Sequence, residues 1–413
     1  MFSGFYNTGL VTFQFLMRLV ASFNPKARLW VEGRRNWELG LAQKLAGNVA
    51  PIVWFHAASL GEFEQGRPVI EAFRKQYPAY KILLTFFSPS GYEVRKNYEG
   101  ADYILYLPAD TPDNAHQFIS LVKPEMAFFI KYEFWYNYLR ELKSANVPIL
   151  SFSAIFRPDQ LFFKSYGGFY RNMLHAFNHI LVQNQESVDL LKRIGIANVT
   201  LAGDTRFDRV AHVAAARKEI PLAATFKNGQ PLLVVGSAWP EDMNVLIPFL
   251  NTFNQSLKVI IAPHEIHDNE IERWQTQLAK PSVRFSKANE NTICSAQVLF
   301  IDNVGMLSSL YQYGEFAYIG GAFKQGLHNI LEAATFGMPL FFGPEYSKFQ
   351  EAVDLVNEGA AFSISNVATF TASFSKQYAD SSEAARISRT YVQRNIGATA
   401  KVMQVVKHLL ITE

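Results

Sequence analysis

Short runs of apolar, β-branched or aromatic residues recur along this chain, and they come in two series. IVWFHAA at 52–58, KILLTFF at 81–87, YILYL at 103–107, MAFFI at 126–130, PILSFS at 148–153 and HILVQ at 179–183 form the first. PLLVVG at 231–236, LKVIIAP at 257–263, QVLFI at 297–301, FAYIGG at 316–321 and MPLFFG at 338–343 form the second. Between the runs lie stretches of helical spacing, such as Val69, Ile70, Phe73 and Tyr77, or Phe134, Tyr138, Leu139 and Leu142. Buried strands alternating with helices, without two-residue hairpin signals, require right-handed crossovers and parallel sheets. A polar, alanine-rich stretch at 204–230 separates the series, so two Rossmann-like, doubly wound α/β domains are expected. The predicted divisions are an N-terminal segment at 1–40, a first domain at 41–205, a second at 206–380, and a closing helix within 381–413, at about 383–411. Ligands of open parallel sheets settle at the carboxyl ends of the strands, so two such domains facing a central cleft is the architecture the pattern predicts.

Composition narrows the class. With 49% apolar and 18% charged residues the 413-residue chain is a packed globular protein, not a disordered one. The single cysteine, Cys294, cannot close an intramolecular disulfide or build a cysteine-rich metal site, which fits a reducing compartment. The first fifty residues hold six basic side chains against Glu32 and Glu38, whereas the whole chain carries only +3. The main body is therefore near neutral, which argues against nucleic acid as a partner and for a membrane surface beside the N-terminal segment.

That segment, GFYNTGLVTFQFLMRLVASF from Gly4 to Phe23, is apolar but interrupted by Asn7, Thr8, Gln14 and Arg18, whereas a clean span needs about twenty apolar residues in succession. Behind it Lys26, Arg28, Arg34 and Arg35 alternate with Trp30 and Trp37, the mixture suited to anionic headgroups at a water boundary. The expectation is a monotopic anchor on a cytoplasmic face; the competing reading is a helix docked on the protein itself. A secretory signal does not fit, since the charge lies behind the apolar stretch and no small-residue cleavage site follows.

Two loop regions could carry chemistry. In FAYIGGAFKQGLHNILEAATFGMPLFFGPE a strand runs into Gly320-Gly321, then into a helix expected to begin near Asn329. Glycines let backbone approach a phosphate, a helix start offers unpaired N–H groups, and Glu332 could accept from two ribose hydroxyls. Asn329 and Glu332 also have capping-box spacing, which requires no ligand. In HAASLGEFEQG, Ser59 and Glu62 share that spacing, yet Glu62 stands at a strand's carboxyl edge, where burial would raise its pKa toward that of a general base. Glu133, in YEFWYN, holds the same position after a later strand; it reads equally as a second catalytic or acceptor-binding acid and as a solvated charge at a helix start. His264, Glu265 and His267 lack the HExxH spacing that aims two imidazoles at one metal, so no metal site is assigned. Asp302-Asn303-Val304-Gly305 opens like a cation loop but lacks the later bidentate acid, and reads as a strand-end turn.

Taken in order, HAASLGE at 56–62, YEFWYN at 132–137, LVQNQESVDLLKRIG at 181–195, GDTRFDR at 203–209, GSAWPED at 236–242, IAPHE at 261–265, DNVGMLSSLY at 302–311 and IGGAFKQGLHNILEAA at 319–334 make the chain resemble the bacterial 3-deoxy-D-manno-octulosonic acid (Kdo) transferases of lipopolysaccharide biosynthesis. The resemblance implies a GT-B glycosyltransferase that inverts the anomeric centre without a metal or other cofactor. It implies CMP-Kdo as donor, bound mainly by the second domain, and a lipid A precursor (lipid IVA) as acceptor at the inner membrane. Glu62 matches the family's base and Glu133 the acid of its first-domain motif. Asn329 and Glu332 match nucleotide-contacting positions, with Gly236 and Ser237 near the phosphate; Gly305, Gly320 and Gly321 complete the expected donor site, and Lys324 or His264 would meet the leaving charge. The chain departs from the family pattern at His264, where an arginine is common, at Gly326-Leu327 in place of a glycine pair, and at Ala333 in place of proline. The alternatives are another GT-B-fold nucleotide-sugar transferase or epimerase, and a non-catalytic nucleotide-binding protein of a membrane surface.

Overall fold

The computed structural model describes residues 2–411 and divides into two compact units, Met1–Arg209 with Ile396–Glu413, and Val210–Asn395. The first begins with three helices, α1 (Phe2–Val20), α2 (Pro25–Glu32) and α3 (Trp37–Leu45). Asn24 starts α2, its side chain accepting from the N–H groups of Lys26 and Ala27 at 2.9 and 3.1 Å, with Pro25 in the first turn where a missing N–H costs nothing.

The strands of this unit are β1 (Ile52–Ala57), β2 (Lys81–Phe86), β3 (Tyr103–Tyr106), β4 (Met126–Ile130), β5 (Ile149–Ala154), β6 (His179–Val182) and β7 (Val199–Leu201), and helix α4 (Leu60–Gln76) follows β1. They form one parallel sheet in the order β3-β2-β1-β4-β5-β6-β7. Because successive side chains alternate, β1 sends Trp54 to a core with Phe118, Phe129 and Tyr138, and Phe55 to another with Phe73 and Phe128. Phe55 and Phe128 stack at 4.1 Å.

The second unit repeats the plan with β8 (Leu232–Ala238), β9 (Lys258–Pro263), β10 (Ser282–Arg284), β11 (Val298–Phe300), β12 (Phe316–Ile319), β13 (Leu340–Phe342) and β14 (Ala361–Ser363), parallel in the order β10-β11-β9-β8-β12-β13-β14. Strand order reverses between β1 and β4 in one sheet and between β8 and β12 in the other, the places where loops diverge and leave room for ligands.

The closing helix departs from expectation. It is two helices, Ser382–Asn395 and Ala398–Ile411, broken at Gly397, whose φ is +116°. Asp208 makes the break: its carboxylate accepts the N–H groups of Gly397 and Thr399 at 2.7 Å each and the Thr399 hydroxyl at 2.8 Å. The two helices belong to different units, and Val402, Met403 and Val406 of the last one join Phe63, Val69, Ile70 and Phe73 in the first unit's core. The stretch at 204–230 is not a linker throughout, since it holds helices at Thr205–Ala215 and Pro221–Lys227.

Among the described residues no helix is long and apolar enough to cross a membrane. Helix α1 docks on the first unit through Tyr6, whose hydroxyl donates to Asp110 Oδ2 at 2.7 Å, and through Asn7, whose Oδ1 accepts from Asn137 Nδ2 at 2.9 Å. Its other side leaves Phe5, Val11, Phe15, Leu16, Leu19 and Val20 exposed, with Phe23 just beyond.

Candidate active site

Glu62 and Glu133 stand at the carboxyl ends of β1 and β4, neighbours across the first sheet's switch point. Glu62, in the first turn of α4, turns back so that Oε2 accepts the Ala58 N–H at 2.5 Å. Ser59 begins the helix in extended geometry but makes no side-chain cap, so only half of the expected capping box exists. Burial, then the nearby charge of Glu133, pushes the Glu62 carboxyl up from its ordinary 4.5 to about 7, against the pull of backbone N–H groups and of Lys131. A carboxyl poised there is half ionised at neutral pH, the condition under which a general base is effective.

Glu133 is only 7% exposed, which removes the reading of a solvated charge. Its Oε2 accepts from Trp135 Nε1 at 2.6 Å and lies 3.1 Å from His56 Nε2. His56, fully buried at the end of β1, places Nδ1 2.8 Å from Thr85 Oγ, which also takes the Trp54 Nε1 proton at 2.8 Å. Thr85 Oγ1 also reaches the Phe55 carbonyl at 3.5 Å and Trp135 Nε1 reaches His56 Nε2 at 3.2 Å, so both ring nitrogens of His56 are engaged. Trp54, Thr85, His56 and Trp135 thus hold the Glu133 carboxylate in one place. Sequence reasoning named the two acids and overlooked this frame. One signal was present: His56 and Thr85 are the polar interruptions of apolar strands with otherwise buried faces.

In the second unit the predicted donor residues separate into those that cluster and those that do not. Gly236 and Ser237 end β8, Gly320 and Gly321 follow β12, and the two turns interlock: the Gly320 N–H donates to the Gly236 carbonyl at 2.9 Å. The Gly321 N–H donates to buried Asp242 Oδ2 at 3.0 Å, and Asp242 also accepts from the Trp239 N–H and the Tyr318 hydroxyl, each at 2.9 Å. Both glycine N–H groups are therefore satisfied within the protein and are not free donors. The glycines serve close approach instead: a Cβ on Gly320 would lie 2.1 Å from the Ser237 carbonyl oxygen, and Gly321 has φ +94°.

His264, after β9, is exposed and stacks on Trp239 at 4.5 Å and on His328 at 4.4 Å. Trp239 Nε1 donates to His328 Nε2 at 3.0 Å, and burial, with the neighbouring His264, draws His328 down to about 4. The platform thus has one imidazole held neutral inside and one open to solvent. Neither Trp239 nor His328 was picked out from the sequence as a site residue.

The helix expected at Asn329 is a single turn, Leu331–Ala334, too short for a useful dipole, because Gly337 and Pro339 follow at once. Asn329 Oδ1 accepts the Leu331 N–H and its Nδ2 donates to Glu332 Oε1, each at 3.2 Å. Lys324 is exposed and pairs with Glu241 at 3.5 Å. Gly305, φ +88°, lies in the turn after β11 with open space where a Cβ would stand, and no hydrogen bond or ring contact joins it to the His264 platform. Among the described residues no three His, Cys, Asp or Glu side chains are gathered as metal ligands; His267 bonds Glu265 at 3.0 Å.

Residues 33–209 match the family model described as 3-deoxy-D-manno-octulosonic-acid transferase (kdotransferase). The chain is 27% identical over 311 residues to the 3-deoxy-D-manno-octulosonic acid transferase of Rickettsia bellii, covering 72% of each, and 26% identical over 325 residues to that of Aquifex aeolicus, covering 77% of this chain and 84% of the relative. Among solved structures, the UDP-GlcNAc 2-epimerase of Neisseria meningitidis bound to UDP-GlcNAc aligns over 88% of this chain and 100% of its own, with a TM-score of 0.61 at 15% identity, a likeness of fold alone. The fold so shared is the GT-B-type pair of Rossmann-like sheets. With acids at the first sheet's switch point, a family model matched over most of the first unit and relatives of one name over about three quarters of its length, the chain is similar to the 3-deoxy-D-manno-octulosonic acid transferases, which are glycosyltransferases.

Proposed function

We propose that this protein transfers Kdo from CMP-Kdo to a sugar hydroxyl of a lipid A precursor in a single, inverting displacement, with no metal or other cofactor. The observation that carries the reading is the Glu62 carboxyl, held at a strand end and raised to about 7. Glu62 takes the hydroxyl proton as that oxygen attacks the anomeric carbon. The glycosidic bond to the CMP phosphate breaks as the new bond forms, and CMP leaves with the electron pair. Glu133, fixed by His56 and Trp135, holds the acceptor and keeps the Glu62 carboxyl basic. In the second unit, the Trp239–His264–His328 platform and the ends of β8 and β12 receive the nucleotide, with His264 or Lys324 meeting the phosphate charge and Asn329 and Glu332 the ribose.

The lipid acceptor accounts for the N-terminal helices: the exposed apolar side of α1 lies in the bilayer surface and the basic residues behind it face anionic headgroups, a monotopic attachment at the cytoplasmic face of the inner membrane. The test is mass spectrometry of lipid IVA after incubation with CMP-Kdo. One added Kdo or more supports the reading, and Glu62→Gln lowers kcat by about 10²–10⁴-fold with folding intact. Normal turnover by Glu62→Gln would overturn the base assignment, and release of CMP without a glycosylated lipid would overturn the acceptor.

A further inference from the structure

The first unit contains a basic cavity lined by neither Glu62 nor Glu133. It has a volume of about 710 Å³ and lies where the end of α1, helices α2 and α3 and the segment at Pro108–Ala109 come together. Four arginines line it, Arg18, Arg28, Arg34 and Arg35, against one acid, Glu32. No ion pair is made by Arg18, Arg28 or Arg35 among the described residues, and all three are exposed.

Arg34 is the informative one. Its side chain is half-buried, and every polar partner is a neutral carbonyl: Nε donates to Leu107 at 2.8 Å, one terminal nitrogen to Trp30 at 3.0 Å and the other to Phe87 at 2.7 Å. The ring of Trp30 lies 4.0 Å from its central carbon. Burial draws the group down to about 9, still charged at neutral pH, and no carboxylate offsets that cost. A partly desolvated cation without a counter-charge gains from an anion that completes the site. Trp30 adds a second unmet group, because its indole N–H is buried without a hydrogen-bond partner.

We infer that this cavity binds the phosphate of an anionic bilayer lipid, with Arg18, Arg28 and Arg35 around the phosphate and Arg34 supplying charge from beneath. Charge complementarity selects the occupant's sign, and position selects its source: the exposed side chains Leu16, Leu19, Val20 and Phe23 flank Arg18 on the same helix end, so acyl chains and phosphate are met together. The inference rests on the membrane-surface reading above and makes it specific, since a pocket rather than a diffuse basic face takes the headgroup.

The experiment is co-sedimentation of the full-length chain with phosphatidylcholine vesicles, with and without phosphatidylglycerol. Arg34→Gln risks misfolding, so the test uses the exposed pair Arg18→Gln/Arg35→Gln, compared with Lys192→Gln/Arg193→Gln, which removes the same charge from an exposed helix elsewhere in this unit. The pocket pair is expected to lower partitioning onto phosphatidylglycerol vesicles by about thirtyfold, at about one factor of five per basic residue, and the control pair by less than about threefold. Equal losses by both pairs, or none by the pocket pair, would overturn the inference. So would full displacement by inorganic phosphate at constant ionic strength, which would make the occupant a soluble phosphate. Glu62→Gln separates the two readings: it lowers Kdo transfer by about 10²–10⁴-fold and leaves partitioning unchanged, so a failed pocket and a failed catalytic assignment give different results.

Discussion

Removing the charge of Glu133 while keeping its shape tests the electrostatics of the acid pair directly. A glutamine at 133 can still accept from Trp135 and face His56, but it no longer opposes ionisation of Glu62, whose carboxyl is raised by burial first and by Glu133 second. With a midpoint of about 7, about one tenth of Glu62 is ionised at pH 6 and about nine tenths at pH 8. If kcat/KM follows the ionised base, the wild-type ratio between pH 8 and pH 6 is therefore about tenfold. Glu133→Gln lowers the midpoint, so that ratio shrinks toward one even though the absolute rate falls through weaker acceptor positioning. The assay is CMP release with saturating donor and a detergent-dispersed acceptor, at the two pH values and constant ionic strength. The ratio cancels losses common to both conditions. A ratio that stays near tenfold, or grows, would refute the claim that Glu133 tunes Glu62.

Three further outcomes follow from the same geometry. Glu62→Gln removes a carboxyl that the fold prefers neutral, so its melting temperature is expected to match or exceed that of the wild type at pH 8 while turnover falls as stated above, both measurable on one preparation. Asp110, raised by burial from 3.8 to about 7, keeps its proton longer in the folded state than in the unfolded one, so it lowers stability as pH rises from about 4 to 7; between pH 5 and pH 8 the wild type should lose about 2–3 kcal/mol relative to Asp110→Asn, read from urea midpoints, and parallel curves would contradict this. Gly320→Ala puts a methyl group 2.1 Å from the Ser237 carbonyl oxygen and 2.6 Å from Asp242 Oδ2, which should destabilise the second unit by about 1–3 kcal/mol and lower its melting temperature by about 2–4 °C per kcal/mol; an unchanged transition would show that the turn relaxes freely.

The strands that sequence reading found and those it missed differ in a physical way. The eleven found are continuous apolar runs: ten are interior strands covered on both faces, and the edge strand β3 is four residues of apolar and aromatic type. The three missed, β7, β10 and β14, are three residues long and lie at sheet edges, where one side meets solvent and no run is required. The two acids were legible because strand-end position follows from the strand pattern itself. The framework around Glu133 was not, since Thr85 and Trp135 come from loops and strands far apart in sequence and only the sheet register brings them to His56. Local glycine and capping signals misled for a related reason. Asp242, nearly eighty residues upstream, takes the Gly321 N–H that a local reading leaves free for a ligand. Asp208 ends one helix and starts the next from a distance of 189 residues.

The polar interruptions that disqualify the N-terminal segment as a membrane span have a structural reason of their own. Tyr6 and Asn7 reach a buried node at Asp110, whose Oδ2 accepts the Tyr6 hydroxyl and the Asn137 N–H while Oδ1 accepts the Tyr138 N–H at 2.9 Å. Asn137 closes the circuit, its side-chain nitrogen donating to Asn7 and to the Asp110 carbonyl. Asn137 and Tyr138 open the helix Tyr136–Ser144, directly after the loop that carries Glu133 and Trp135. Undocking α1 would leave Asp110 short of one donor inside the protein, at about 1–3 kcal/mol for an unmet buried group. Docking therefore describes one side of α1 only. One side completes a hydrogen-bond network that begins the helix following Glu133, and the other, lined by Phe5, Phe15 and Leu19, is left bare because nothing in this unit covers it.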